Sequence, residues 1–207
     1  MNKNVLDQNM PTVATLFKRQ RILDAIAVSC AEKTYASTTI SDIVSRAGIS
    51  RATFYKHFPN KRSCFDAAVE GFVAELRAVG RAAHSDAADN PENVRRAIAA
   101  ALALMTAAPD YTRLVVIEAI AVDPSLIDRF RTLLIAALRG AGDGADGALP
   151  NKAATRTAYG QAQVLVANQI LVGRGDELQE LLPDIVYIAL FPFTGPEEAL
   201  KQAQLAR

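Results

Sequence analysis

An all-α fold is predicted by three features of the sequence. Apolar residues recur at helical spacing from about Thr12 to Leu205, and no strand-period run, internal repeat or low-complexity segment interrupts them. Helix start and stop signals divide that pattern at short intervals: Ser, Thr or Asn ahead of a run, Gly or Pro after it. Half of the 207 residues are hydrophobic, tryptophan is absent and alanine is abundant, a composition suited to closely packed helices.

Residues 1–12 read as a polar, disordered arm, so order is expected from about residue 13. A first helix runs from Thr12 to about Lys33, with Phe17, Ile22, Leu23, Ile26, Ala27 and Cys30 on its apolar stripe. Lys18, Arg19 and Arg21 lie off the stripe, where they either meet phosphates or form a solvated face. Cys30 and Cys64 have no metal-ligand spacing and read as small apolar fillers in a reduced cytoplasm.

The run from Thr38 to Lys61 organises the chain. Thr39 is placed to cap a short helix, and Asp42 three residues on completes a capping box. Ile40, Ile43, Val44 and Ala47 follow at helical spacing, and Gly48 supplies the turn, because glycine adopts a positive φ without a Cβ penalty. Ile49 plugs the gap, Ser50 caps again, and a second short helix runs from Arg51 to about His57. Phe54 and Phe58 share its buried face. Arg51, Ala52, Thr53, Tyr55, Lys56 and His57 are left on the others. A helix this short is unstable alone, so the two phenylalanines must prop it.

A propped helix bearing cations, hydroxyls and a phenol is what a DNA major groove admits, since its walls are phosphates. The pattern is therefore read as a helix-turn-helix. Ser50, Arg51, Ala52, Thr53, Tyr55, Lys56 and His57 enter the groove, and Thr38, Thr39 and Lys61 clamp the DNA backbone. Asn60 caps the next helix. Lys61 sits in its first turn, where a cation opposes the helix dipole and a phosphate would compensate. Charge supports the same division. Residues 1–66 hold ten Lys/Arg against five Asp/Glu, and the remainder holds thirteen against seventeen, so a basic head precedes an acidic body.

The stretch resembles the DNA-binding domain of the tetracycline-repressor (TetR) family of transcriptional regulators. The similarity rests on Thr38-Thr39, Ala47 to Ser50, Thr53 to Tyr55, Phe58-Pro59 and Lys61, and covers about residues 15 to 65. It implies an N-terminal three-helix helix-turn-helix domain, residues 1–62, joined to a C-terminal helical bundle, residues 63–207, that dimerises. It also implies a two-fold dimer reading near-palindromic double-stranded operator DNA. The chain departs from the family pattern ahead of the Thr pair. Ser29-Cys30 stands where Leu-Phe is usual, and Thr34 where Gly is usual. The first removes bulk that Phe17 or Tyr35 must replace. The second makes a left-handed helix end costly, so the first helix is expected to end differently here.

Beyond Lys61 the helix continues through Phe65, Ala68, Phe72 and Leu76 to about Arg81, long enough to act as a lever between head and body. Pro91 after Asn90 opens a helix to about Thr106, and another follows Pro109-Asp110 to about Val122. Asp123-Pro124 starts a helix over 125–139. Gly140 to Pro150 is a loop. Ala153 to Val172 is helical and stops at Gly173-Arg174-Gly175. Glu177 to about Phe191 is the next helix, interrupted or begun afresh at Pro183, and a short last helix covers Glu197 to Leu205. The last two long helices are apolar over more than one face, and the expected cover is the same surface on a second chain.

Polar residues inside apolar stretches of the body, Glu118, Gln161 and Gln169 among them, need partners. They are read as part of a pocket walled by Phe72, Met105, Tyr111 and Phe130, taking an apolar or amphipathic small-molecule effector. No nucleophile elbow, metal box or phosphate cradle is present, so neither enzyme activity nor a cofactor is expected. The longest apolar run, from Ala97 to Ala108, is too short to span a bilayer, and no secretory signal opens the sequence. The expectation is a cytoplasmic, effector-responsive regulator, most simply a repressor. The competing readings are a constitutive dimeric DNA-binding regulator and a helical enzyme with an accessory head.

Overall fold

The computed structural model describes residues 13–88, 90–126 and 152–207, all helical or connecting, with no strand among them. The expected N-terminal arm, most of the helix over 125–139 and the Gly140–Pro150 loop lie outside the described residues. The chain divides into two compact units, Met1–Ala68 and Val69–Arg207.

In the first unit, α1 (Val13–Lys33) buries Ile22, Leu23, Ala25, Ile26, Ala27 and Cys30. Its stripe begins one turn later than expected: Phe17 is exposed, as are Val13 and Leu16. The bulk missing beneath the turn is supplied by Tyr35 instead, whose ring packs on Phe65 at 4.5 Å between centroids. Helix α1 keeps a left-handed end without glycine. Thr34 sits at φ 79°, and its N–H donates to the Cys30 carbonyl at 2.9 Å. A β-branched residue there carries a steric penalty of about 1–2 kcal/mol. Thr34→Gly is therefore expected to stabilise the unit by about 1 kcal/mol, raising its melting temperature by about 4–8 °C in thermal denaturation. A lower melting temperature would show that the threonine is not strained.

Helix α2 (Ile40–Ala47) opens on the expected capping box. Thr39 Oγ1 accepts from the Asp42 N–H at 3.2 Å, and the Thr39 N–H donates to Asp42 Oδ2 at 2.9 Å. Lys33 also donates to Asp42, at 2.7 Å. Together these donors hold the Asp42 carboxyl well below the usual carboxylate range, Lys33 contributing most. The box is thus fully formed above the ordinary carboxylate pKa and is lost only as pH falls through the depressed one. Gly48 ends α2 at φ 60°, and a Cβ there would meet an Arg21 guanidinium nitrogen at 2.9 Å. Helix α3 (Arg51–His57) is capped by Ser50, whose Oγ accepts from the Thr53 N–H at 3.1 Å. Helix α4 (Lys61–Ala82) is capped by Asn60, whose Oδ1 accepts from the Ser63 N–H at 2.8 Å. Cys30 and Cys64 are both buried and form no disulfide, and burial pushes the Cys64 thiol up to about 12.

The second unit is built on α5 (Asn90–Ala107), α6 (Pro109–Arg113), α7 (Ala119–Val122), α8 (Lys152–Leu171) and α9 (Leu182–Gln204). Its core gathers Val94, Ile98 and Leu102 of α5, Val166 of α8, and Ile185, Val186, Ala189, Leu190 and Ala199 of α9. Asn93 is buried and closes the turn before α5. It accepts from the Ser85 N–H at 2.8 Å and donates to the Ser85 and Ala88 carbonyls. Two expectations are refined. The helix after Pro109 is not continuous: Leu114–Glu118 widens into a π turn, with the Ala119 N–H reaching back to the Leu114 carbonyl. Before Pro183 the chain forms a 3-10 turn, Gly175–Leu181, so α9 begins afresh with that proline in its first turn. Gly195, at φ 79° and ψ 177°, breaks α9 between Pro192 and Pro196. No single helix among the described residues is long and apolar enough to cross a membrane.

Candidate nucleic-acid interface

The face of α3 follows from its two phenylalanines. Phe54 is fully buried and Phe58 nearly so, with ring centroids 6.0 Å apart. Fixing those two rings fixes the azimuth of a two-turn helix, and the remaining side chains turn outward. Arg51, Ala52, Tyr55 and Lys56 are exposed, and Thr53 and His57 are half-buried at the margins. Tyr55 is 53% exposed, a large exposure for an aromatic ring. Its edge rests against Phe54 at 5.5 Å, which orients the phenol without hiding it.

Polar groups around α3 are arranged in three ways. Ser50 Oγ lies 3.0 Å from Thr53 Oγ1, so the cap and the first turn share one hydroxyl pair. Arg51 donates to Ser41 Oγ and ties the start of α3 to α2. Lys56 has no carboxylate partner among the described residues, whereas Arg46 pairs with Glu32 and Lys33 with Asp42. Arg51 and Lys56, neither paired with a carboxylate among the described residues, are both exposed on α3, an arrangement that attracts phosphate.

Two residues expected to clamp a DNA backbone make internal hydrogen bonds. Thr38 is 1% exposed, and its hydroxyl donates to the Ser29 carbonyl at 3.1 Å and the Thr34 carbonyl at 2.7 Å. It cannot reach outward without breaking both bonds, so its role is to close the corner between α1 and α2. Lys61 turns inward as well. Its ammonium donates to the Tyr35 carbonyl at 2.8 Å and the Thr38 carbonyl at 2.7 Å, and lies 4.1 Å from the centre of the Tyr35 ring. Thr39 alone of that trio is exposed, at the head of α2.

Two cations of α1 also have structural work that local spacing does not reveal. Arg21 donates to the Ala47 carbonyl and caps the C-terminus of α2 from 26 residues away. The Arg19 guanidinium lies over the Phe58 ring at 5.1 Å.

The residues expected to line a pocket in the body are only partly brought together. Phe72 is buried and stacks on Tyr111, with centroids 5.5 Å apart and planes 26° apart. Met105 is half-buried against the core, and its carbonyl accepts from Thr112 Oγ1 at 2.8 Å. Glu118 is buried at the end of the π turn. Gln161 is exposed, because the packed face of α8 carries Ala158, Ala162 and Val166 instead. Gln169 is buried but engaged locally, donating to Glu177 at 3.4 Å and accepting from Arg174 at 3.3 Å. Phe130 lies outside the described residues. Among the described residues no group of three or more His, Cys, Asp and Glu could hold a metal ion.

Comparison with known proteins places these features in context. Residues 22–68 match the family model described as bacterial regulatory proteins, tetR family. The chain is 37% identical over 59 residues to the HTH-type transcriptional repressor KstR2 of Rhodococcus jostii (strain RHA1), an alignment covering 28% of this chain and 29% of that protein. The curated relative is thus matched over less than a third of its length. Among solved structures, a TetR-like transcriptional regulator from Rhodococcus sp. RHA1 superimposes with a TM-score of 0.63 at 19% identity, covering 89% of this chain and 98% of that one. A gamma-butyrolactone receptor (ArpA-like protein) superimposes with a TM-score of 0.61 at 19% identity, covering 92% and 96%. Similarity at that identity carries the fold alone, over the 89–92% of this chain that superimposes.

Proposed function

Since the chain belongs to the tetR family of bacterial regulatory proteins, we propose that it is a homodimeric transcriptional regulator that reads operator DNA through α3. The head, residues 1–62, makes the DNA contacts: Ser50, Arg51, Ala52, Thr53, Tyr55, Lys56 and His57 in the major groove, with Thr39 at the backbone. The observation that carries this reading is the outward cationic and hydroxyl face of a helix held by two buried phenylalanines. The test is recovery of duplexes from a random-sequence pool by the full-length chain, followed by gel shifts across salt concentrations. Affinity falling steeply with salt is the expected result, and a flat response would exclude phosphate contacts.

The body, residues 63–207, supplies dimerisation. Val164 and Leu171 lie seven residues apart on α8 and are 67% and 60% exposed, and Phe191, Phe193 and Leu200 of α9 are exposed too. Apolar surface of this kind is covered by the same surface of a second copy. Two heads then present their α3 helices to successive major-groove turns about 34 Å apart. Val164→Glu with Leu171→Glu is expected to give a monomer in sedimentation velocity and to weaken binding to a palindromic duplex by roughly 100-fold, or about 2.7 kcal/mol. A variant that stays dimeric would move the interface elsewhere.

The body also takes a small apolar or amphipathic effector, and its binding releases the DNA, making the regulator a repressor. The stacked Phe72 and Tyr111 and the buried Glu118 support this reading, as does the receptor function in the name of one fold neighbour. An effector acts only through its differential affinity for the DNA-bound and free states. Release of the selected duplex by members of a metabolite library tests it.

A further inference from the structure

Building on the effector-binding reading of the body, we infer that the effector is an amphipathic organic acid and that Arg113 holds its carboxylate. Arg113 is the last residue of α6, directly before the π turn at Leu114–Glu118. Its Nε–H is shut away from solvent and has no acceptor among the described residues. A buried donor without an acceptor is costly, so native structures seldom keep one without a use. The other side-chain atom in this state among the described residues is the Ser29 hydroxyl of the head, a neutral group. Arg113 is charged, which makes its case the more expensive.

A shortage of acids does not explain it. Residues 67–207 hold seventeen Asp/Glu against thirteen Lys/Arg. Other arginines of the body use them: Arg95 and Arg96 pair with Glu92, and Arg174 with Glu177. Glu118, buried at the far end of the π turn, is engaged as well. Arg113 is partly buried, yet no carboxylate pairs with it among the described residues. Its neighbours in sequence are apolar or already bonded. Tyr111 stacks on Phe72, Thr112 Oγ1 donates to the Met105 carbonyl, and Leu114 and Val115 are buried. The π turn is a second mark, because such widened turns give up regular helical bonding and recur at functional sites. One edge of a guanidinium, Nε–H beside an Nη–H, matches the two oxygens of a carboxylate. An acid with an apolar or aromatic body suits both the orphan donor and the residues around it.

The test compares full-length wild type, Arg113→Met and Arg113→Lys. The probes are matched acid and neutral pairs on linear, aromatic and fused-ring frames: decanoate with decanol, cinnamate with cinnamyl alcohol, naphthoate with naphthamide. Affinities are measured by equilibrium dialysis at neutral pH, where the acids are ionised. At least one acid is expected to bind wild type about 10- to 150-fold more tightly than its neutral partner, as a hydrogen bond to a charged group would give. Arg113→Met is expected to erase that preference, and Arg113→Lys to keep part of it, since an ammonium retains the charge without the fork. The ligand-free melting temperature is the second readout. A guanidinium kept for a ligand adds nothing to the fold, so ligand-free Arg113→Met is expected to melt at or above the wild-type temperature. A lower one would make Arg113 structural and overturn the proposal. Neutral partners that bind as tightly as their acids overturn it too, as does an acid preference that survives in Arg113→Met; both leave the effector reading standing. If no member of any pair binds, the effector reading falls and the proposal with it.

Discussion

Replacing Phe54 by alanine is expected to unfold the head and abolish DNA binding. Phe54 is fully buried in a unit of some 68 residues and contacts Phe58 and Tyr55 directly. Truncating a core phenylalanine costs about 3–5 kcal/mol through lost transfer energy and the cavity left behind. Natural domains hold about 0.05–0.15 kcal/mol per residue, so a unit of this size has a margin of the same order. Helix α3 depends on that packing, because two turns of helix do not persist without it. Urea denaturation followed by circular dichroism is expected to show the head's transition shifted to very low denaturant, with DNA affinity reduced more than 100-fold. A midpoint equal to the wild type would mean that Phe54 does not anchor the unit.

Replacing Tyr55 by alanine is expected to do the opposite: leave stability within about 0.5 kcal/mol and remove DNA affinity. Its ring is half-exposed and only its edge touches Phe54, so little buried area is lost on truncation. Facing DNA, the same side chain offers a hydroxyl donor and an apolar ring to the groove wall. Loss of one well-placed contact costs about 1–3 kcal/mol, or roughly 5- to 160-fold in affinity, twice over in a dimer. The paired outcomes separate the two faces of one helix. Phe54 and Tyr55 are adjacent in sequence, yet one is to control melting and the other binding. A Tyr55→Ala protein that binds the selected duplex as tightly as wild type would take α3 out of the groove.

What could be read from the sequence was local. The Thr39–Asp42 box, the Ser50 cap, the Asn60 cap and the Gly48 turn each act over four residues or fewer, and all are in place. Phe54 and Phe58 were legible because a four-residue spacing puts two rings on one face. The contacts that spacing does not show depend on distant partners. Lys61 finds carbonyls 26 and 23 residues back, and Arg21 a carbonyl 26 residues on. Nothing in the spacing of cations announces these internal bonds. The burial of Thr38 has no local signature, since a Thr pair in a turn does not announce which hydroxyl is buried. Phe17 has the composition of a core residue but the azimuth of a surface one. Thr34 holds a glycine's conformation because the Cys30 carbonyl and the packing of Tyr35 over-determine the helix end. In the body, the π turn at Leu114–Glu118 has no signature in apolar spacing, and the packing of Ala158 and Val166 sets a phase for α8 that leaves Gln161 exposed.

The central claim is that the outward face of α3 occupies the major groove, and guanine N7 marks that groove alone. Dimethyl sulfate protection should therefore be measured on the selected duplex with the wild-type chain and with Tyr55→Ala. Two N7-protected patches about one helical turn apart, both lost in the variant at equal protein stability, are the predicted result. Unprotected N7 positions under saturating wild-type protein, or protection that Tyr55→Ala leaves intact, would contradict the placement of α3.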